Sequence, residues 1–290
     1  MMKTATKPTY QQFKEQVQQE WSDPVTIAGW RRWFPKMLVQ FQVGTDLLVE
    51  AAALSEGMRV LDVASGSGDP AIALAGAVGR SGQVVAIDSS RDMLALAEEN
   101  CRGRGLENVN FQVADANELP FPDEHFDRVT SKLGVMYFVD CPQALGEIRR
   151  VLKPGGRIAL LAWGRPDRSP YIQAGLGPTL ERAQLPPPPP GAPQPFRFAE
   201  PGSLTTELEL SGFRQIEEET HVIPLAWAGP PEEVWQHLYE IAAPFRPVVD
   251  RLGPEDREWV TGETLARLRH YYVNGCTTTP AAIVVASATR

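Results

Sequence analysis

An apolar run that breaks into a glycine-bearing turn and passes straight into a helical stretch is the feature that most limits what this chain can become. It is VLDVASGSGD, Val60 to Asp69, followed at once by PAIALAGAV. Gly66 and Gly68 carry no Cβ, so the backbone between strand and helix can come close to a ligand, as in nucleotide-type cofactor sites. From Arg59 onward, short β-branched runs alternate with amphipathic segments, the pattern of βαβ units and a parallel sheet. This predicts strands near 59–64, 83–88, 109–114, 126–131 and 156–163, with helices near 69–79, 91–103 and 141–151.

The flanks read differently. From about Thr9 to Leu54 the chain is helical in pattern and rich in aromatics (Trp21, Trp30, Trp33, Phe34, Phe41), with Gly29 and Pro35 expected to divide it. The helix expected to end at Leu152 stops on KPGG, Lys153 to Gly156, where proline and glycine terminate helices. Gly164 to Pro201, with its Pro186–Pro190 run, reads as an irregular or polyproline-like connection. A helix over Gly202–Ser211 leads into a sixth strand in FRQIEEETHVIPL; helices follow over 231–273, and AAIVVASATR closes the chain as a strand from Ala281.

Composition removes several classes. A net charge of −8 leaves no basic field for a phosphate backbone, which argues against nucleic acid as a partner. Cys101, Cys141 and Cys276 are scattered without metal-site spacing, so no metal is expected. With no signal-peptide core and no membrane-length apolar run, the reading is a cytoplasmic protein without a membrane span. Oligomeric state is not legible.

The glycine turn stands in register with acids. Asp88 ends the second strand about twenty positions beyond Gly66, where dinucleotide-type folds place a carboxylate for ribose hydroxyls. Asp62 and Asp115 fall at the ends of the first and third strands, and ligands of open α/β sheets lie outside those ends. A cap or turn role can explain each acid alone; three at successive strand ends point to one crevice.

At this point the segment 59–163 resembles the cofactor domain of class I S-adenosylmethionine-dependent methyltransferases, close to the ubiquinone/menaquinone biosynthesis type. The matching stretches are VLDVASGSGD, VVAIDSSRDML, ADANELPFPDEHFD and EIRRVLKPGGRIALLAW. The resemblance implies an α/β, Rossmann-like, seven-stranded and mostly parallel sheet with an antiparallel last strand. Around it stand an N-terminal helical lid (1–54) and a helical insertion (231–280) capping the substrate, with 55–230 and 281–290 forming the cofactor domain.

Carried across residue by residue, the resemblance implies S-adenosyl-L-methionine as cofactor. Ala64, Gly66 and Gly68 would form the floor under its methionine part, with Asp62 near the amino group. Asp88 would hold the ribose, Ser89 and Met93 would lie against the adenine, and Asp115 with the Ala116 N–H would take the adenine edge. Ala64 stands where the family has glycine, a change expected to be tolerated if φ stays negative. Lys132 falls where the family lines the methyl-transfer site, yet its charge would repel a sulfonium, so its ammonium is expected to turn toward Asp69 or solvent.

The reaction implied is methyl transfer to a small apolar or aromatic acceptor, on oxygen or carbon, by in-line displacement. A base is needed only where the accepting atom holds a proton. The candidates are His237, in WQHLYEI, and Tyr137, in GVMYFVD; each also has a reading as a packed core residue. His125 reads as a surface residue and His221 as part of a strand. Two rivals stand beside this reading. A nicotinamide-dependent oxidoreductase would want a third glycine where Ala71 sits. A non-catalytic cofactor-binding partner protein would use the helical insertion as an interface.

Overall fold

The computed structural model describes residues 10–185 and 192–290; the expected helix start at Thr9 and the Pro186–Pro190 run lie outside them. Its strands are β1 (Arg59–Val63), β2 (Gln83–Asp88), β3 (Val109–Val113), β4 (Phe126–Lys132), β5 (Leu152–Trp163), β6 (Arg214–Trp227), β7 (Tyr272–Val273) and β8 (Cys276–Thr289). They form one sheet in the order β3-β2-β1-β4-β5-β8-β6, with the two-residue β7 hairpinned onto β8. The first five run parallel, while β8 is antiparallel to both β5 and β6. This is the expected mostly parallel sheet with a reversed last strand, the two-residue β7 making an eighth strand where seven were expected. The order turns back at β1, between β2 and β4, and such switch points open a crevice at the carboxyl ends of the strands.

The central strands are buried on both faces, so they read as unbroken apolar runs; all of β1 beyond Arg59 is buried. One face carries α3 (Gln42–Ala52), α4 (Ala71–Val78) and α5 (Arg91–Arg102), closing over Val60, Leu74, Val84, Ala86 and Cys101. On the other, α6 (Cys141–Val151) and α9 (Ser203–Leu210) bury Leu61, Val129, Leu145, Ile148, Leu160 and Leu208. Two N-terminal helices precede α3: α1 (Tyr10–Trp21) and α2 (Pro24–Gln40).

Several boundaries differ from expectation. Gly29 and Pro35 do not divide the N-terminal segment, because α2 runs through both; it begins where Asp23 caps Val25 and Thr26 with Pro24 as first residue. Gly29 is a packing position, since a Cβ there would sit 2.8 Å from Glu240 Cβ. Lys153–Gly156 do not wait outside the sheet: β5 starts at Leu152, opposite Phe126, with a register shift before Arg128. The stretch after Gly164 is not wholly irregular, holding α7 (Pro170–Gly175) and α8 (Gly177–Ala183). The insertion forms α10 (Pro231–Ile241), α11 (Arg246–Asp250) and α12 (Pro254–Arg269). It ends before 273 because Asn274 and Gly275, with φ of 51° and 82°, make a tight hairpin turn into β8. Asn-Gly is the strongest short hairpin signal a sequence offers, and it brings the last strand forward from Ala281 to Cys276.

Candidate functional site

Three acidic side chains gather at the switch point, two positioned by their strands and one by the glycine turn. Asp62 is fully buried on β1. Its Oδ1 accepts a 2.9 Å hydrogen bond from Thr130 Oγ1 of β4, its register partner, while Oδ2 finds no partner among the described residues. Burial pushes its pKa up to about 8, against a partial opposing effect of the Thr130 bond and Lys132. Asp88, half-buried at the end of β2, accepts from the Gly66 N–H (2.9 Å) and the Ser90 N–H (2.8 Å). Burial raises its pKa while those bonds pull it down. Asp88 thus ties the glycine turn to the start of α5. Asp69, in the turn itself, adds to the charge felt by Asp62 together with Asp88.

The turn is left-handed where it needs to be. Gly66 and Gly68 have φ of +54° and +104°, and a Cβ at Gly68 would lie 3.3 Å from Ala97 Cα of α5. Gly68 therefore serves close helix packing, whereas an added Cβ at Gly66 meets only Met93 Cε, at 3.6 Å. Ala64 departs from expectation: its φ is +59°, not negative. It stands at the turn's entrance, one residue past the end of β1, in a conformation where only glycine is free of strain. Its Cβ in turn requires Gly134, since a Cβ added there would be 2.6 Å away.

Asp115 lies beyond β3, next to Ala114, whose N–H bonds the Asp88 carbonyl at 3.1 Å. It accepts from the Asn117 N–H (2.9 Å), pairs with Lys14 Nζ at 2.7 Å and meets Tyr10 Oη at 3.4 Å. Ala116, beside it, is half-buried, as is Ser89. Met93 is buried, its N–H bonded to Ser90 Oγ, so Ser90 rather than Ser89 caps α5. The α1–α2 junction closes on the same place. Ser90 Oγ donates to the Trp21 carbonyl at 2.9 Å, Ser22 Oγ lies 3.1 Å from Ser90 Oγ, and the Trp21 ring meets Tyr137 edge-on at 5.6 Å. Tyr137 is thus at the crevice's rim, its phenol pKa raised by burial and by Glu20. None of these α1 contacts was legible in advance, since each joins residues far apart in sequence.

Lys132 turns to Asp69, as expected. Its Nζ is 2.5 Å from Asp69 Oδ2 and 2.7 Å from Thr45 Oγ1 of α3, and Thr45 Oγ1 also donates to Asp69 Oδ1 at 2.9 Å. His237 is elsewhere: on α10 it is fully buried, stacked on Trp227 at 4.4 Å and edge-on to Trp33. Among the described residues neither ring nitrogen has a hydrogen-bond partner, and burial depresses its pKa to about 3. This geometry supports its packing alternative over a base. His125 stacks on Phe121 with Nε2 3.0 Å from Arg59, and His221 on β6 lies 3.4 Å from Glu219. Among the described residues no cluster of His, Cys, Asp and Glu is placed to hold a metal ion, and no helix is long and apolar enough to cross a membrane.

Residues 38–175 match the ubiE/COQ5 methyltransferase family. The chain is 41% identical over 127 residues to the ubiquinone/menaquinone biosynthesis C-methyltransferase UbiE of Serratia proteamaculans, covering 43% of this chain and 51% of that protein. It thus spans about half the length of the relatives it matches. Among solved structures it is similar to a Haemonchus contortus phosphoethanolamine N-methyltransferase in complex with S-adenosylhomocysteine. There the TM-score is 0.55 at 18% identity, covering 98% of this chain and 60% of that one. It is also similar to the [4+2]-cyclase SpnF, with a TM-score of 0.56 at 23% identity and 98% and 97% of the two chains covered. At such identities the likeness establishes the fold and leaves the reaction to the site. Over residues 38–175 the chain is thus similar in sequence to the ubiE/COQ5 methyltransferases, and it shares the fold of these solved structures.

Proposed function

We propose that the chain transfers a methyl group from S-adenosyl-L-methionine to a small apolar or aromatic molecule, with carbon or oxygen as the accepting atom. The observation that carries this reading is the Asp62 carboxylate: buried at the switch point beside the glycine turn, with one oxygen left unpartnered. A buried acceptor without a donor costs about 1–3 kcal/mol or more. The cofactor's ammonium is the kind of group that would satisfy it.

When bound, the cofactor supplies a carbon activated by a positively charged sulfur. The protein's part is to bind, align and keep water out, which in favourable systems lowers a barrier by about 7–11 kcal/mol. In this reading Ala64, Gly66 and Gly68 floor the methionine end and Asp62 takes its amino group. Asp88 accepts from the ribose with lone pairs left over from Gly66 and Ser90, while Ser89 and Met93 lie along the adenine. Asp115 and the Ala116 N–H take the adenine's edge once Lys14 gives way. Residues up to 54 act as a lid, with α1 closing by Trp21 onto Tyr137, and 231–280 cap the acceptor side. Tyr137 orients acceptor or cofactor; its raised pKa keeps the phenol protonated, a donor and not a base.

The relatives are C-methyltransferases of ubiquinone/menaquinone biosynthesis, which supports carbon over nitrogen as the accepting atom. Calorimetric titration with S-adenosylhomocysteine tests the cofactor assignment directly. Binding that is lost in Asp88→Ala supports it, and no binding to the wild type at high ligand concentration overturns it.

A further inference from the structure

Among the described residues two cations are buried: Lys132, paired with Asp69 at the glycine turn, and Arg246, the first residue of α11 in the helical insertion. The Arg246 guanidinium reaches out of the insertion to the N-terminal helices. Its Nη2 lies 2.5 Å from Asp23 Oδ1, its Nη1 donates to Thr26 Oγ1 at 3.4 Å, and Asp250 Oδ2 is 4.0 Å from its Nε. Asp23 is the cap of α2, and the same Oδ1 accepts the Val25 and Thr26 N–H groups at 2.8 and 3.0 Å. A residue of the insertion therefore holds the start of α2 in place.

The residues just before that cap are the ones that close over the crevice. Ser22 Oγ lies 3.1 Å from Ser90 Oγ, Ser90 Oγ donates to the Trp21 carbonyl, and the Ser90 N–H donates to Asp88. One chain of polar contacts and adjoining residues thus runs from Arg246 through Asp23 and Ser22 to Ser90 and Asp88. Further along, α2 lies against α10: Trp30 Nε1 donates to the Ile241 carbonyl at 3.3 Å, Trp33 Nε1 to Glu240 Oε2 at 2.6 Å, and Lys36 pairs with Glu233. The helix and the insertion form one body, with the α1–α2 junction at its end. Asp23 and Arg246 both fall outside the matched residues 38–175, so the link belongs to the flanks of this chain. Stability is a poor reason to bury such a pair, since desolvation offsets the attraction and apolar residues of the same volume serve as well. A charged pair does fix the direction of a helix start.

We infer that Arg246 is a positioning residue for the cofactor: through Asp23 it seats the α1–α2 junction on Ser90, so that the insertion on the acceptor side and the cofactor crevice close as a unit. The inference rests on the methyltransferase reading above. Whatever favours the closed insertion then favours cofactor binding by the same factor, and the reverse.

The test makes two measurements on the full chain, hydrogen exchange of the ligand-free protein and calorimetric titration with S-adenosylhomocysteine. Asp23→Asn keeps a capping oxygen and removes the charge pairing, and Arg246→Met removes the guanidinium. Both are expected to speed exchange at the amides of α1 and Ser22 and to weaken S-adenosylhomocysteine binding by about tenfold, while Arg246→Lys keeps most of the wild-type affinity. Lys36→Met breaks a different pair between α2 and the insertion, away from the junction, and should leave both readouts at their wild-type values. Unchanged exchange at the junction in Asp23→Asn, which retains the cap and with it the fold, overturns the proposal. So does unchanged affinity in Asp23→Asn, or an equal loss of affinity in Lys36→Met, which would mark a general loosening of α2. If the wild type binds no S-adenosylhomocysteine, the methyltransferase reading falls and takes the cofactor role of Arg246 with it; the exchange result separates that failure from a failure of the seat.

Discussion

Ala64 and Gly134 form a pair in which each residue restricts the other. Ala64 holds a left-handed φ of +59°, and its Cβ fills the space that a side chain at 134 would need. A left-handed L-residue costs about 1–2 kcal/mol, so Ala64→Gly should raise the urea-unfolding free energy by up to about 1 kcal/mol after glycine's extra unfolded-state entropy is counted. Gly134→Ala should destabilise by about 1–3 kcal/mol through overpacking. The double variant should recover part of that loss, and strict additivity would contradict the pairing. Asp62 carries a pH signature of its own. With its pKa at about 8 in the free protein, pairing with a cation requires it to release a proton. S-adenosylhomocysteine affinity should therefore rise by up to about tenfold per pH unit on approaching pH 8 from below and then level off; Asp62→Asn should bind weakly with no such slope. The positions of Asp62, Gly66 and Asp88 could be read from the chain because strand ends and glycine turns announce themselves locally. The φ of Ala64 and the Thr45 partner of Lys132 could not, since both are set by neighbours distant in sequence.

Helix α1 is lightly held. It buries none of its residues and stays over the crevice through Lys14 and Tyr10 at Asp115 and through its last residue, Trp21. The Lys14–Asp115 pair is partly exposed, at 41% and 25%, and pairs of that kind are worth about 1 kcal/mol or less. If Lys14 stands where the adenine's amino group would go, Lys14→Ala should tighten S-adenosylhomocysteine binding by up to about fivefold, measured by calorimetry. Weaker binding in that variant would make the lysine part of the cofactor's wall instead. The helices and parallel strands between 59 and 163 were legible because periodicity and turn chemistry agreed there. The flanks were less so: Pro35 sits inside α2, where the missing N–H is outweighed by the apolar face made by Trp33, Phe34 and Met37. The Asn274–Gly275 turn carried a local signal, but it followed a long helical pattern that masked it.

At the scale of the molecule, the N-terminal helices and the insertion meet around His237. The imidazole lies between Trp33 of α2 and Trp227 of β6, with no hydrogen bond and a pKa near 3. Because the folded pKa is depressed below the ordinary 6.5, the unfolded chain takes up a proton first as pH falls. Stability from this residue is whole above about pH 6.5 and drains away between there and about pH 3. His237→Phe should flatten that decline in urea melts across the same range, without loss of S-adenosylhomocysteine binding.

The route by which the sheet is completed has a consequence for how the chain is made. Among the described residues β6 pairs with β8 and with no other strand, and β8 also fills the gap beside β5. At typical rates of about 5–20 residues per second, β6 therefore emerges from the ribosome seconds before its neighbour exists. Ile223, Leu225 and Trp227, all buried in the finished protein, are bare in that interval. Glu217, Glu218 and Glu219 occupy the same strand, and a run of like charge keeps a waiting strand from joining its copy on a nearby nascent chain.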